Sequence, residues 1–164
     1  MDVYSEVIVS RNLVRNPQAI QKALKTTGWI LLIAGVVVSF LLFIPAALVW
    51  ILYFIANRVL EVDYEYMLTN DEMDLELVLG GKTRKNMLSF SLSQVLIIAP
   101  WESTELEPYT HLKPMDMSAR DPWNRPYVLV CTVGGEKKKV YLQLNDDMLH
   151  KLKMMIPGKV ILNK

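Results

Sequence analysis

Residues 28–56 read GWILLIAGVVVSFLLFIPAALVWILYFIA, and this stretch decides the fold. No charged side chain occurs between Thr26 and Asn57. A bilayer has a hydrocarbon core about 30 Å thick, and a helix crosses it with roughly 20 apolar residues. Only a helix or a closed barrel can span this core, because there is no water in it to pair with the backbone. The sequence therefore predicts a membrane protein of the α+β class.

Two arrangements of the apolar run fit its length. Asn16 and Pro17 form a typical helix start, because Asn caps free N–H groups and Pro at the first position loses no hydrogen bond. Pro45 would either kink one long span or open a second helix. Positive charge flanks the run on both sides, as expected when both flanks are cytoplasmic. We favour a transmembrane helical hairpin over residues 17–59, with a turn at 42–45 that has no polar side chain.

Alternation of apolar and polar residues begins directly after the run. The segment VDYEYMLTNDEMDLELVLGG contains two such stretches, separated by turn residues Asn70 and Asp71. The alternation continues to residue 99 and resumes at 127, and Asn145 is a typical cap for a helix over 146–156. The sequence predicts an antiparallel β-roll or partly open barrel over residues 60–164, capped by that helix.

The segment YEYMLTNDEMDLELVLGGKTRKNMLSFSLSQV resembles the pleckstrin-homology-like domains that many bacterial membrane proteins carry after a pair of membrane helices. The opening MDVY, the apolar run and the closing MLHKLKMMIPGKVI extend the similarity over most of the chain. Together they make it similar to a family of small, uncharacterised bacterial membrane proteins. That family has no assigned activity, so the resemblance implies a fold and a membrane location but no substrate.

A Pro-rich loop over residues 100–126 interrupts the β pattern. Connections of this length are uncommon and are usually functional or mobile. Its aromatic residues Trp101, Tyr109 and Trp123 could anchor a protein partner, or fold back over an open end of the barrel. The sequence leaves both alternatives open.

Basic residues follow two Gly-Gly turns. Near a bilayer, each such charge contributes about 1 kcal/mol to contact with anionic lipid head groups. Lysines at turns also simply keep strand edges from pairing with other chains. The candidate contacts with head groups or a partner are Lys82, Arg84, Lys85, Lys137, Lys138 and Lys139.

Several other kinds of chemistry are not expected. Eighteen Lys and Arg stand against 17 Asp and Glu, a balance that does not favour nucleic-acid binding. His111 and His150 have no partner at zinc-like spacing, so we expect no metal and no other cofactor. The single Cys131 excludes an internal disulfide and is typical of a small buried residue. Phosphate-binding, dinucleotide-binding and nucleophile-elbow motifs do not occur, so we do not expect an enzyme.

These patterns predict a non-catalytic binding or adaptor module anchored in the cell membrane. Its N-terminal segment, residues 1–16, and its β domain would be cytoplasmic. Its expected partners are membrane lipids and a protein, either a different one or a second copy. The alternative is a subunit of a larger membrane complex, in which small residues let helices approach closely. Those residues are Gly28, Ala34, Gly35, Ser39 and Ala46.

Overall fold

The computed structural model describes residues 4–12, 14, 16–121 and 124–162. The chain divides into two compact units. The helical unit comprises Asn12–Val62 and Leu79–Thr83, and the β unit comprises Met1–Arg11, Asp63–Val78 and Arg84–Lys164.

Two helices, α1 (Pro17–Val37) and α2 (Phe43–Val59), form the helical unit. They lie side by side and antiparallel, with glycines at the points of close approach. A Cβ atom on Gly28 would lie 2.9 Å from Trp50 Nε1, and one on Gly35 would lie 3.1 Å from Phe43 Cε1. The apolar run thus folds as a helical hairpin and not as one kinked helix.

The turn of the hairpin lies earlier in the chain than the sequence suggests. α1 ends at Val37, and a single 3-10 turn over Phe40–Leu42 leads into α2. The expectation of a turn without polar side chains is wrong, because the Ser39 hydroxyl accepts a hydrogen bond from the N–H of Leu41 (3.4 Å). Pro45 lies in the first turn of α2, where backbone N–H groups have no helical partner, so it does not kink the helix.

The described residues form eight strands in two four-stranded sheets. The first sheet has the order β1-β2-β3-β4 and the second has the order β5-β7-β8-β6. β7 pairs antiparallel with β5 and β8, whereas the short β6 runs parallel to β8. The α+β class is confirmed, and closure of the sheets into a roll or barrel stays a prediction. The strands are β1 (Tyr4–Asn12), β2 (Glu61–Thr69), β3 (Glu72–Leu79), β4 (Thr83–Ser91), β5 (Val95–Pro100), β6 (Pro114–Asp116), β7 (Tyr127–Val133) and β8 (Glu136–Leu142).

β1 is a strand that the sequence analysis did not assign. It has the period of two that strands require, but two of its buried side chains, Ser5 and Arg11, are polar, while Ile8 is 58 % exposed. Polar side chains thus point inward and an apolar one outward, and this reversal hides the alternating pattern in the sequence. Ser5 donates a hydrogen bond to Asp147 (2.8 Å), and Lys151 donates one to the carbonyl of Tyr4 (3.0 Å). Both partners lie on the C-terminal helix, which holds the strand at the edge of the sheet.

That helix, α3, spans Asp146–Met155. The Asn145 side chain accepts a hydrogen bond from the N–H of Met148 (2.9 Å), so the cap lies where the sequence predicts it. Met148, Leu149 and Leu152 are buried, and they form the apolar face that packs into the core of the β unit.

The Pro-rich loop carries regular structure of its own. It contains a 3-10 helix over Thr104–Tyr109 and the strand β6. Leu106 and Met117 are buried, and the hydroxyl of Tyr66 donates a 2.6 Å hydrogen bond to the carbonyl of Met117. The described part of the loop is therefore fixed against the core by apolar packing and by hydrogen bonds.

The turn between β3 and β4 gives a test of the backbone geometry. Gly80 and Gly81 both have positive φ, +56° and +66°. We expect Gly81→Ala to lower the free energy of unfolding by about 1–2 kcal/mol, the cost of a left-handed residue with a side chain. Gly80→Ala should cost a further ~1–3 kcal/mol, since its Cβ would lie 2.6 Å from the carbonyl oxygen of Asn57, whereas Gly81 faces open space. Chemical denaturation of both variants in mild detergent compares them directly, and equal losses would contradict the close approach.

Candidate functional site

A cleft of about 370 Å³ lies where the Pro-rich loop meets the second sheet. Trp101, just after β5, and Tyr141 on β8 supply its aromatic surface, with ring centroids 4.4 Å apart. Trp101 remains 44 % exposed, which is unusual for so large an apolar side chain. We call this the aromatic cleft. It is lined by Trp101, Asp116, Ser118, Arg120, Asp121, Arg125, Pro126 and Tyr141.

Asp116, the last residue of β6, is the centre of a hydrogen-bond network at the cleft. Its Oδ2 accepts from Arg11 Nη2 and from Arg120 Nε, both at 2.7 Å. Its Oδ1 accepts from the N–H (3.1 Å) and the hydroxyl (2.8 Å) of Ser118. Arg11 is buried and also donates to the hydroxyl of Tyr64 at 2.8 Å. The network therefore joins β1 and β2 of the first sheet to β6 of the second.

Two guanidinium groups at the cleft face solvent. The side chain of Arg120 is 68 % exposed and that of Arg125 is 65 % exposed. Arg125 pairs with the equally exposed Glu102, and an ion pair in water contributes little, so it can open without a large cost. Guanidinium groups bind carboxylate and phosphate oxygens in a bidentate manner. The aromatic cleft thus has the chemistry to hold an apolar group that carries an anion.

A second cleft, of about 350 Å³, lies beside the β7–β8 hairpin and is lined mainly by lysines. We call it the lysine groove. Lys113 and Lys137 are exposed there, while Lys139 is buried and donates to the carbonyl of Tyr109 (3.3 Å). Lys138 pairs with Glu136 at 2.6 Å. Lys137 and Lys139 lie on the same face of β8, since side chains alternate across a strand, and both approach Tyr109. The groove is lined by Leu112, Lys113, Pro114, Met115, Lys137, Lys138 and Lys139.

The other predicted basic residues lie outside this groove. Lys82 lines a pocket with Arg58 and Asn57, at the end of α2. Arg84 forms an ion pair with the buried Glu65 (3.2 Å), and Lys85 is exposed. None of Lys82, Arg84 and Lys85 lines the lysine groove.

The predicted aromatic residues of the loop also lie in different surroundings. Trp101 lines the aromatic cleft, whereas Tyr109 is half-buried and packs on a cluster that includes Ala99, Leu106 and Val130. Trp123 lies outside the described residues. Part of the loop thus folds back, as one of the two alternatives had it, and Trp101 stays available to a ligand.

Sequence reasoning missed Arg11, Asp116, Arg120 and Tyr141. Arg11 occupies an inward position of a strand, which is a signal for a buried polar partner once the strand is recognised. Asp116 and Ser118 form a local Asp-x-Ser turn, a pattern that the sequence does contain. The hydrogen bond from Arg11 to Asp116 forms only in the folded chain.

The remaining candidates for chemistry are the metal-binding types of side chain and the single thiol. Within 4–12, 14, 16–121 and 124–162, no three His, Cys, Asp or Glu side chains come together as a metal site would require. Cys131 is buried in β7, and this burial raises the pKa of its thiol to about 11, an effect that nearby Lys138 only partly opposes. The thiol is therefore protonated at neutral pH and shielded from reagents.

A family model described as "Bacterial PH-like domain (DUF6106)" matches residues 1–162. The chain belongs to this family. No curated protein and no solved structure matches it. Membership in DUF6106 confirms the resemblance to an uncharacterised bacterial family with a pleckstrin-homology-like domain, and it brings no ligand or partner.

Cys131 offers a direct check of the second sheet in this DUF6106 protein. We expect the folded chain to react with a colourimetric disulfide reagent at pH 8 at least about 100-fold more slowly than the denatured chain, because burial removes both thiolate and access. A Ser93→Cys, Cys131→Ser variant is the control, since Ser93 is exposed and its cysteine should react rapidly in the folded state. Rapid modification of native Cys131 would show that β7 is not buried.

Proposed function

We propose that this protein is a non-catalytic binding module anchored in the cytoplasmic membrane by its helical hairpin. The observation that carries the proposal is the outer surface of that hairpin. Val36 is 78 % exposed, Phe40 76 % and Leu48 59 %, and other large apolar side chains on both helices are similarly exposed. Water-soluble monomers rarely expose an apolar surface of this extent. The segments Pro17–Val37 and Phe40–Val59 also have the length and apolar composition typical of membrane helices.

The positive residues of the hairpin support a cytoplasmic location for its base, the end of the two helices opposite the turn. Lys22 and Lys25 lie in the first half of α1 and Arg58 lies at the end of α2, and all three are exposed. Antiparallel packing brings these ends to the same side of the hairpin. Positive charge beside membrane helices favours the cytoplasmic side. β2 begins at Glu61, immediately after α2, so the pleckstrin-homology-like domain would be tethered to that side.

The aromatic cleft is the surface that we propose for a protein partner. Trp, Tyr and Arg contribute most of the binding energy in many interfaces, and Trp101, Tyr141 and Arg120 lie together here. The lysine groove is the surface that we propose for anionic head groups, with Lys113 and Lys137 as the exposed charges.

The alternative role, a subunit packed into a larger complex through its helices, stays a prediction. Gly28, Gly35 and Ala46 are buried within this hairpin, and both glycines face side chains of the same chain. These small residues are therefore already used for packing inside one molecule, which favours the first role.

Membrane anchoring can be tested in cells by alkaline carbonate extraction. We expect the wild-type chain to stay with the membrane fraction. An Ile33→Glu, Leu48→Glu variant changes two exposed residues between the tip and the base of the hairpin and should be largely released, because each charge in the hydrocarbon core costs about 2.5–3.5 kcal/mol. Ser10→Glu, an exposed residue of β1, is the matched control and should remain in the pellet. Release of the wild-type chain would contradict the proposal.

The partner surface can be tested by site-specific photo-crosslinking in cells. A crosslinking amino acid in place of Trp101 should give a discrete crosslinked species, and Arg120→Glu should weaken it by about tenfold, as loss of a charged contact does. Met154 is 74 % exposed on α3 and serves as the control position. Equal yields at both positions, unchanged by Arg120→Glu, would argue against the aromatic cleft as a binding surface.

A further inference from the structure

The close approaches between α1 and α2 give the hairpin a common depth scale. Gly28 meets Trp50 and Gly35 meets Phe43, so positions on the two helices can be paired level by level. On this scale Lys25 lies level with the middle of α2, near Tyr53. Lys25 is therefore the charged residue nearest to the turn on either helix.

The depth from that level to the turn is short. From Lys25 to Ser39 a helix rises about 21 Å at 1.5 Å per residue, whereas the hydrocarbon core is about 30 Å thick. A hairpin that crossed the bilayer would place Lys25 roughly 10 Å below the near boundary of the core. An ammonium group at that depth is costly even if its side chain extends toward the surface.

The turn is built for an apolar environment. Val36, Val37, Val38 and Phe40 are the most exposed of the large apolar side chains in the described residues, at 76–78 %. A turn that reached the far side would expose this group to head groups and water. The turn also satisfies part of its own backbone, since the N–H of Leu42 donates to the carbonyl of Ser39 (3.1 Å). Pairing of these polar groups lowers the cost of placing non-helical backbone away from water.

Interfacial aromatic residues mark only one end of the hairpin. Trp29 and Trp50 lie edge to face with ring centroids 5.9 Å apart, and Trp50 and Tyr53 with centroids 5.5 Å apart. In membrane-crossing proteins Trp and Tyr are enriched at both interfaces. Residues 30–49 contain neither Trp nor Tyr.

We infer that the hairpin is re-entrant, so that both helices enter from the cytoplasmic face and the turn ends among the acyl chains without reaching the other side. This inference rests on the proposed membrane anchoring. The partner of the turn is thus lipid hydrocarbon, and the extracytoplasmic face carries no part of residues 17–59.

The test uses the full chain with Cys131→Ser and a single cysteine in place of Phe40, labelled with a small fluorophore and reconstituted into phosphatidylglycerol-phosphatidylcholine vesicles. Nitroxide lipids with the spin label near the acyl-chain end should quench the fluorophore at least about twofold more strongly than lipids labelled at the head group. A label at position 59, on the base of α2, should show the reverse order and is the matched control.

The second part of the test measures how accessible the cysteine at position 40 is in intact cells. The cysteine at position 40 should resist a membrane-impermeant thiol reagent added from outside, yet react after detergent denaturation. A variant lengthened by about seven apolar residues in each helix, adding roughly 10 Å, should become reactive from outside and proves that the reagent detects a crossing turn.

The outcomes separate the two proposals. Labelling of position 40 from outside, or strongest quenching by the head-group label, would overturn the re-entrant hairpin while leaving membrane anchoring intact. Absence of quenching by any nitroxide lipid, together with release of the chain by carbonate, would overturn both.

Discussion

The hydrogen bonds around Asp116 hold the β unit together where its sheets meet. The buried guanidinium of Arg11 reaches from β1 to this carboxylate and to the hydroxyl of Tyr64. A buried charge without its partner costs about 3–5 kcal/mol, so neither residue can be lost alone. The position of β6, and with it the shape of the aromatic cleft, depends on this contact. Ser118 and Arg120 complete the coordination of the carboxylate and fix the chain that follows it.

The helical unit obeys a different constraint. Its interior is narrow, with Gly28 and Gly35 letting the indole of Trp50 and the ring of Phe43 approach the opposite helix. Its exterior is almost wholly apolar, the reverse of a soluble helical pair. The chain thus combines a β unit with a buried apolar core and a hairpin whose apolar side chains face outward. This contrast is the physical basis for proposing a membrane anchor.

The two clefts of the β unit differ in the chemistry that they offer. The aromatic cleft combines a tilted pair of rings with two exposed guanidinium groups, whereas the lysine groove offers ammonium groups. Arginine forks recognise planar anions with defined geometry, while lysine acts as a mobile point charge. For this reason we propose the aromatic cleft for a specific partner and the lysine groove for attraction to lipid.

The sequence alone determined the features that rest on local chemistry. Pro17 begins α1, Asn145 caps α3, and strict alternation defines β2 and β3, because caps and periodicity act over a few residues. The membership in a pleckstrin-homology-like family was also readable from residues 64–95. The lack of charge in residues 28–56 predicts a membrane anchor from sequence alone.

Tertiary structure decided the rest, because it depends on pairs that are distant along the chain. β1 escaped notice since its inward Ser5 and Arg11 find their partners on α3 and β6, more than a hundred residues away. The hairpin turns at Ser39 and not near Pro45 because glycine–aromatic packing sets the register of the two helices. Lys139 donates to the carbonyl of Tyr109 in the Pro-rich loop, a contact that its sequence neighbours give no sign of. Local propensity does not determine contacts between residues that are distant in the chain. Only the packed chain brings these groups within contact distance.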